Sequence, residues 1–253
     1  MFRHVFFLVL VMMTGASLPA AAASFDCAKA ATPFEHAICE DTALSMADDR
    51  LAKTYQTAIG GLSEAALAAV RGDQRTWLDY ARRACAPEAK PMTTGRYNED
   101  RTRCLVTLFN GRSTVLEASR MIGGKRFYPR AQYAALPDPE ADSPDAYWAV
   151  ATHELSYVQL DAEDAAAKAF NAYVQEQAVA LSGGSGEDGA SEDVQADPSS
   201  DTINSIRVKE ANYNSVTLDA NTYWYGHGAA HGNWTVGHLH YRLDENRPLV
   251  AED

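Results

Sequence analysis

The chain has 253 residues, 46% of them hydrophobic, with a formal net charge of −12 and four cysteines. That length suits one or two domains, and the acidic balance excludes nucleic acid as a partner, because binding there rests on cationic groups that neutralise phosphates. The charge is concentrated: residues 137–201 carry fifteen acids and one base, Lys168, whereas residues 24–120 carry thirteen of each. A basic protein or a cation is the partner class this pattern admits, and solvation of loops is the plainer use of the same acids.

At the N-terminus, Arg3 and His4 precede the apolar run Val5–Met13, and small residues follow at Ala20–Ser24. This layout predicts a secretory signal peptide over residues 1–23. The run is too short to span a membrane. Phe25 and Asp26 stand before Cys27 where a lipid-attachment box needs small residues, so the predicted product is a soluble periplasmic or secreted protein. In an oxidising compartment the even set Cys27, Cys39, Cys85 and Cys104 predicts two disulfides. Three pairings are open. The sequence-local one, Cys27 with Cys39 and Cys85 with Cys104, is favoured because each bond ties a helix end to its neighbour. No C-x-x-C spacing favours a thiolate zinc site.

Helix signals open the mature chain. Thr32-Pro33-Phe34-Glu35 reads as a capping box with Pro at the first helical position, and a short helix runs on to Cys39. Asp41 caps a second helix with the stripe Leu44, Ala47, Leu51, Tyr55 and Ile59, stopped by Gly60-Gly61. Ser63 caps a third. On it Val70, Gln74, Trp77, Leu78, Ala81 and Cys85 step by three and four, and Trp77 has the most area to bury. A proline- and glycine-bearing loop between Cys85 and Cys104 leads to a fourth helix from Asn98, with the stripe Cys104, Leu105, Leu108, Phe109, Arg112, Val115 and Leu116. The third and fourth helices are expected to lie antiparallel, with the two others across them, in a disulfide-stapled all-α bundle over residues 24–121.

Residues 122–146 hold Pro129, Pro137, Pro139 and Pro144 and show no helical or strand period, which predicts a linker. From 147 the pattern predicts an α+β domain with an antiparallel sheet. A strand region, Trp148–Leu160, precedes a helix capped at Asp161–Asp164. Three strands follow at Ile203–Lys209, Ser215–Tyr225 and Trp234–Leu243. Residues 182–201, acidic and rich in Gly and Ser, read as a mobile insertion. The stop at Asp253, soon after Pro248-Leu249-Val250, reads as a trimmed or short version of such a domain.

The series Cys27, Ala30, Thr32, Glu35, Ile38, Cys39, Leu44, Asp48, Leu51 and Tyr55, then Gln74, Trp77, Leu78 and Cys85, then Cys104, Leu105, Phe109, Arg112 and Leu116, resembles the N-terminal domain of the LprI-type lysozyme inhibitors. The resemblance implies an exported, disulfide-bonded helical module, some of whose relatives bind and inhibit lysozyme. Ala81 and Arg82 stand where that family usually has Arg-Asp. Val216-x-Leu218 and Tyr223-Trp224-Tyr225, leading into Gly228-Ala229-Ala230-His231-Gly232-Asn233 with Phe170-Asn171 upstream, resembles the C-terminal domain of RsiV-type anti-sigma factors, which implies a lysozyme-sensing module.

Two constellations remain as candidate sites. The tethered loop bearing Arg96, Tyr97 and Arg101 can present basic groups to the carboxylates of a lysozyme or another cationic cell-wall enzyme, with His227 and His231 as further partner contacts. Alternatively His227, His231, His238 and His240 converge on a metal and make a cell-wall hydrolase or sensor. Structural histidines, with His231 holding the glycine loop, are the favoured reading of that cluster, with Asp219 and Asp244 the only carboxylates placed to support it. Glu35 is explained by its cap, and Asp48 is expected to pair with a base such as Arg112. No nucleophile-elbow, zincin, Walker or dinucleotide motif occurs. The leading expectation is a binding protein without catalytic activity or cofactor; a protein that only mediates envelope assembly is the third reading.

Overall fold

The computed structural model describes residues 23–143, 148–183 and 196–249. The expected signal peptide over 1–23 and the middle of the acidic segment, 184–195, lie outside these but for Ala23.

Four helices come first: α1 (Pro33–Glu40), α2 (Thr42–Ile59), α3 (Glu64–Ala84) and α4 (Glu99–Leu116). Their starts are set by side chains that accept otherwise unpaired backbone N–H groups. Thr32 and Glu35 form a full capping box at α1, and Asp41, Ser63 and Asn98 cap α2, α3 and α4. α2 ends at Gly60-Gly61, and Gly61 takes a φ of 72°, which a side chain would oppose. The disulfides are Cys27–Cys39 and Cys85–Cys104, with Cα separations of 5.7 and 5.8 Å. Helix and cystine expectations hold together here.

The packing of the helices differs from the expected bundle. α2 lies along α4, while α3 lies chiefly against strand β2 (Lys125–Pro137). The reason is that α3 buries two faces. Val70, Trp77 and Ala81 meet the helices, with Trp77 edge-on to Phe109 at 5.0 Å, while the buried Asp73 and Tyr80 reach the sheet. Asp73 holds the Arg130 guanidinium at 2.9 and 3.3 Å and accepts from the Ala131 N–H. Tyr80 stacks on Tyr133 at 5.0 Å and donates to Glu154. A stripe read on apolar character alone passes over an aspartate that faces inward.

The expected linker at 122–146 is in large part sheet. β1 (Arg120–Ile122) and β2 form a hairpin, and β2 pairs from Phe127 to Pro137 with β3 (Val150–Leu160). Its prolines are tolerated because Pro129 falls at a position whose backbone faces away from β3 and past the end of β1, so its missing N–H costs no ladder bond, and Pro137 ends the strand. Helix α5 (Ala165–Leu181), capped by Asp164, then crosses to β4 (Ser200–Ala211), which pairs parallel to β3. A parallel pair requires such a crossover; it is the one departure from the expected antiparallel sheet. β5 (Ser215–Gly226), β6 (Asn233–Arg242) and the two-residue β7 (Arg247–Pro248) complete a seven-stranded sheet in sequence order.

One face of this sheet is covered by α5, through Phe127, Leu155, Phe170, Val174, Ile206, Leu218 and Tyr241. The helical domain covers the opposite face over β2 and β3, where Tyr128 and Ala135 join the helical core. Asn171 clips the end of β3 by accepting from the Leu160 N–H and donating to its carbonyl, so the Phe170-Asn171 pair serves packing and strand termination at once. Among the described residues no helix is long and apolar enough to cross a membrane.

Candidate functional site

The tethered loop builds the principal cleft of the helical domain. Cys85 closes α3 and Cys104 lies in the second turn of α4, so the bond between them pins both ends of residues 86–98. Within this loop Glu88 and Ala89 adopt left-handed φ values of 54° and 51°, an unfavoured conformation for residues bearing a Cβ. Buried Ala89 anchors the bend. Beyond it, Pro91, Met92 and Thr93 face the start of α1 and the last turns of α3 across a cleft of about 420 Å³, lined also by Pro33, Phe34, Asp79, Arg82 and Tyr97.

Aromatic packing makes the floor rigid. Tyr97 meets Phe34 edge-on at 6.4 Å, Phe34 meets Phe109 at 6.1 Å, and Phe109 meets Trp77. Burial raises the Tyr97 phenol above its ordinary pKa against the pull of Arg101 and Arg82. Glu35 is held low by the Ala31 and Thr32 N–H groups and the Thr32 hydroxyl, so it is a structural anion at the cleft rim. The Arg82 guanidinium lies over the Phe34 ring at 5.6 Å. Among the described residues neither Arg82 nor Arg101 has an ion pair, whereas Arg96 is paired with Glu40 and Asp79 with Arg83. The three residues singled out from the sequence therefore divide: Tyr97 is part of the floor, Arg96 is engaged with Glu40, and Arg101, in the first turn of α4, has no ion pair among the described residues. Arg82 and Phe34, which the sequence reading did not put in the site, are central to it. The usable signal was the departure at Ala81-Arg82 from the family pattern.

The four histidines do not converge. His227 is buried; its Nδ1 contacts the Asp138 carboxylate, its Nε2 lies 3.3 Å from Asp201 Oδ2 in poor hydrogen-bonding geometry, and its ring stacks on Trp148 at 5.2 Å. The supporting carboxylates are thus Asp138 and Asp201, far away in sequence, and Asp244 is occupied by Arg242. His238 and His240 each meet their cross-strand neighbour on β5, Asp219 at 2.8 Å and Thr217 at 3.2 Å. His231 is exposed in the glycine loop, its Nδ1 3.2 Å from the Gly232 carbonyl. No cluster of three or more metal-binding side chains occurs among the described residues, which overturns the four-histidine metal centre. Of the two histidines read as partner contacts, His231 is exposed, whereas the His227 side chain is 6% exposed and lines a small pocket with Asp138 and Trp148. Gly232 is required by close approach, since a Cβ there would stand 2.5 Å from the Tyr223 ring, and Tyr225 donates to the Ala229 carbonyl; the signature residues fold the loop onto two tyrosines.

The expected Asp48–Arg112 pair does not form. Asp48 accepts from the Ser24 N–H, while Arg112, buried, donates to Gln74 and to Tyr133. Burial pushes Tyr133 up to about 12 and raises Glu154 against the pull of the Tyr80 hydroxyl and of Arg112. This network is the polar seam between the two domains.

Residues 27–116 match the family described as Lysozyme inhibitor LprI. Lipoprotein LprI of Mycobacterium tuberculosis H37Rv and that of Mycobacterium bovis are each 39% identical over 75 residues, which is 30% of this chain and 36% of the relative. The chain thus spans about a third of the length of the curated relatives it matches. Among solved structures, a DUF3298 family protein from Pseudomonas aeruginosa PAO1 aligns with a TM-score of 0.36 and 11% identity over 52% of this chain and 56% of that one. Another, from Bacteroides fragilis NCTC 9343, aligns with a TM-score of 0.34 and 14% identity over 53% and 62%. Likenesses that distant carry no argument about function. Over residues 27–116, then, this protein carries an LprI-like domain, with its cleft and both cystines inside the matched span.

Proposed function

We propose that this is an exported, non-catalytic protein that binds and inhibits a lysozyme-type cell-wall hydrolase through its helical domain. The observation that carries the reading is the LprI match over residues 27–116, the span that holds the cleft. Two cystines suit an oxidising compartment, and the N-terminal run Val5–Met13 with Ala20–Ser24 supports export.

Glycoside hydrolases generally act through a pair of carboxylates in a cleft. The guanidinium groups of Arg82 and Arg101 have no ion pair among the described residues; Arg82 lies over the Phe34 ring of the floor and Arg101 is close enough to act on the Tyr97 phenol, so they supply charge-assisted hydrogen bonds to those carboxylates at small ordering cost. The acids of residues 137–201 raise the encounter rate with a cationic enzyme more than the final affinity. His231 is the remaining contact offered by the sheet domain.

The test is a turbidity assay of cell-wall lysis by lysozyme at low salt, with and without equimolar purified protein, alongside size-exclusion chromatography of the mixture. Slowed lysis and a co-eluting complex are expected, and the Arg82→Ala/Arg101→Ala variant should weaken inhibition by about tenfold or more. Full lysis with no complex overturns the reading. Undiminished inhibition by the double variant moves the contact away from this cleft.

A further inference from the structure

Among the described residues the outer edge of β6 is open from Asn233 to Leu239. Among the described residues, only Tyr241 and Arg242 pair with β7, and the Leu249 N–H donates to the His240 carbonyl. That bond fixes which way the backbone faces. The His240 carbonyl points away from β5, whereas the Leu243 N–H points toward it, donating to Asn214. Alternation along the strand then directs the N–H and C=O groups of Trp234, Val236 and His238 outward.

Edges of this kind are ordinarily blunted by charge, proline, bulges or shortness. The opposite edge, β1, is three residues long and carries Arg120. β6 has no such device: Asn233-Trp234-Thr235-Val236-Gly237-His238-Leu239-His240-Tyr241 contains no Lys, Arg, Asp, Glu or Pro, and every residue from Asn233 to His238 is exposed. Trp234 and Val236 are 71% and 65% exposed, on the sheet face that α5 leaves uncovered.

We propose that β6 pairs antiparallel with β6 of a second copy of this chain, across a two-fold axis at Thr235, to make one continuous sheet. The choice of a second copy rests on self-complementarity. In this register Trp234 stands opposite Val236 of the partner subunit and Val236 opposite the partner's Trp234, so the two most exposed apolar side chains of the strand cover each other twice. Both pairs are formed by residues whose backbone groups point outward, so both are hydrogen-bonded pairs. Thr235 faces its own copy in a non-hydrogen-bonded pair, where the Cα atoms approach to about 4.5 Å. An isologous contact of this kind closes and stops at two copies.

The four native cysteines are all in disulfides, so a thiol placed at Thr235 is the only free one, and its geometry suits a bond across the axis. Sedimentation or light scattering of the purified protein over a dilution series should show a monomer–dimer equilibrium. Val236→Lys should weaken the dimer at least tenfold while leaving the circular dichroism of the monomer unchanged, because this side chain is 65% exposed in the monomer. Thr235→Cys should give a reducible dimer with copper phenanthroline, and Arg71→Cys, at an exposed position of α3, should not. A monomer at every concentration overturns the proposal, as does a dimer that Val236→Lys leaves intact. A persisting dimer in which Thr235→Cys does not cross-link overturns the register. None of these readouts involves lysozyme, so they stand or fall separately from the inhibitor reading.

Discussion

The helical and sheet domains reach a packed interior by different routes. The helical domain has one aromatic cluster, Phe34, Trp77, Tyr80, Tyr97 and Phe109, and relies on two cystines to tie short helices and a long loop around it. The sheet domain has no cystine; it buries α5 against a seven-stranded sheet through Phe127, Phe170 and Tyr241. The difference teaches that the LprI-like unit needs help at its size, through covalent closure and through docking on β2, whereas a strand-dense core holds itself.

The strongest way to break this comparison is to remove the aromatic at each centre. Trp77→Ala and Phe170→Ala should each cost about 3–5 kcal/mol, read by urea denaturation. Coincident transitions for the two domains in both variants would show that the seam couples them into one cooperative unit; separate transitions would show two. Next in size, Cys85→Ser/Cys104→Ser should cost about 3 kcal/mol through the freed loop in the unfolded chain. It should also loosen the cleft, seen as faster proteolysis within residues 86–98. The sheet domain should be spared.

Smaller again is Asp73→Ala, which strands Arg130 and the Ala131 N–H at the seam. Arg130 is partly exposed, so a loss of about 2 kcal/mol is expected, and the two domains should then melt further apart. The smallest effect is that of pH on Glu154. Burial raises its folded-state pKa above the ordinary carboxylate value, so the folded state holds this proton more tightly than the unfolded chain. Its contribution is fully present below the unfolded pKa and is lost as pH rises through the raised folded value. Glu154→Gln should therefore flatten the decline in melting temperature above pH 4.5, with near-equal stability below that. A variant with an unchanged pH profile would place the titration elsewhere.

Local signals carried much of this. Thr32, Asp41, Ser63 and Asn98 each announce a helix because a short polar side chain satisfies a neighbouring N–H, a contact within a few residues. The sequence-local cystines and the 3.6-residue stripe through Trp77 were legible for the same reason. The Pro-rich stretch 122–146 misled because β2 draws its regularity from β3 and α3, partners that no local period reports. The histidines misled in the same way, since proximity in sequence placed four imidazoles together that a sheet register then separated.

What the amino-acid sequence determined by itself is the set of short-range decisions: where helices begin, which cysteines lie within reach, which stripes are apolar, and where charge is concentrated. Only the tertiary structure decided that Asp73 and Tyr80 face a sheet, that His227 is enclosed by Asp138 and Asp201, that Arg82 and Phe34 complete the cleft, and that β6 keeps an open edge among the described residues. These depend on contacts between residues tens of positions apart, whose energies are set by burial and by partner geometry, and neither is encoded in any window of the chain.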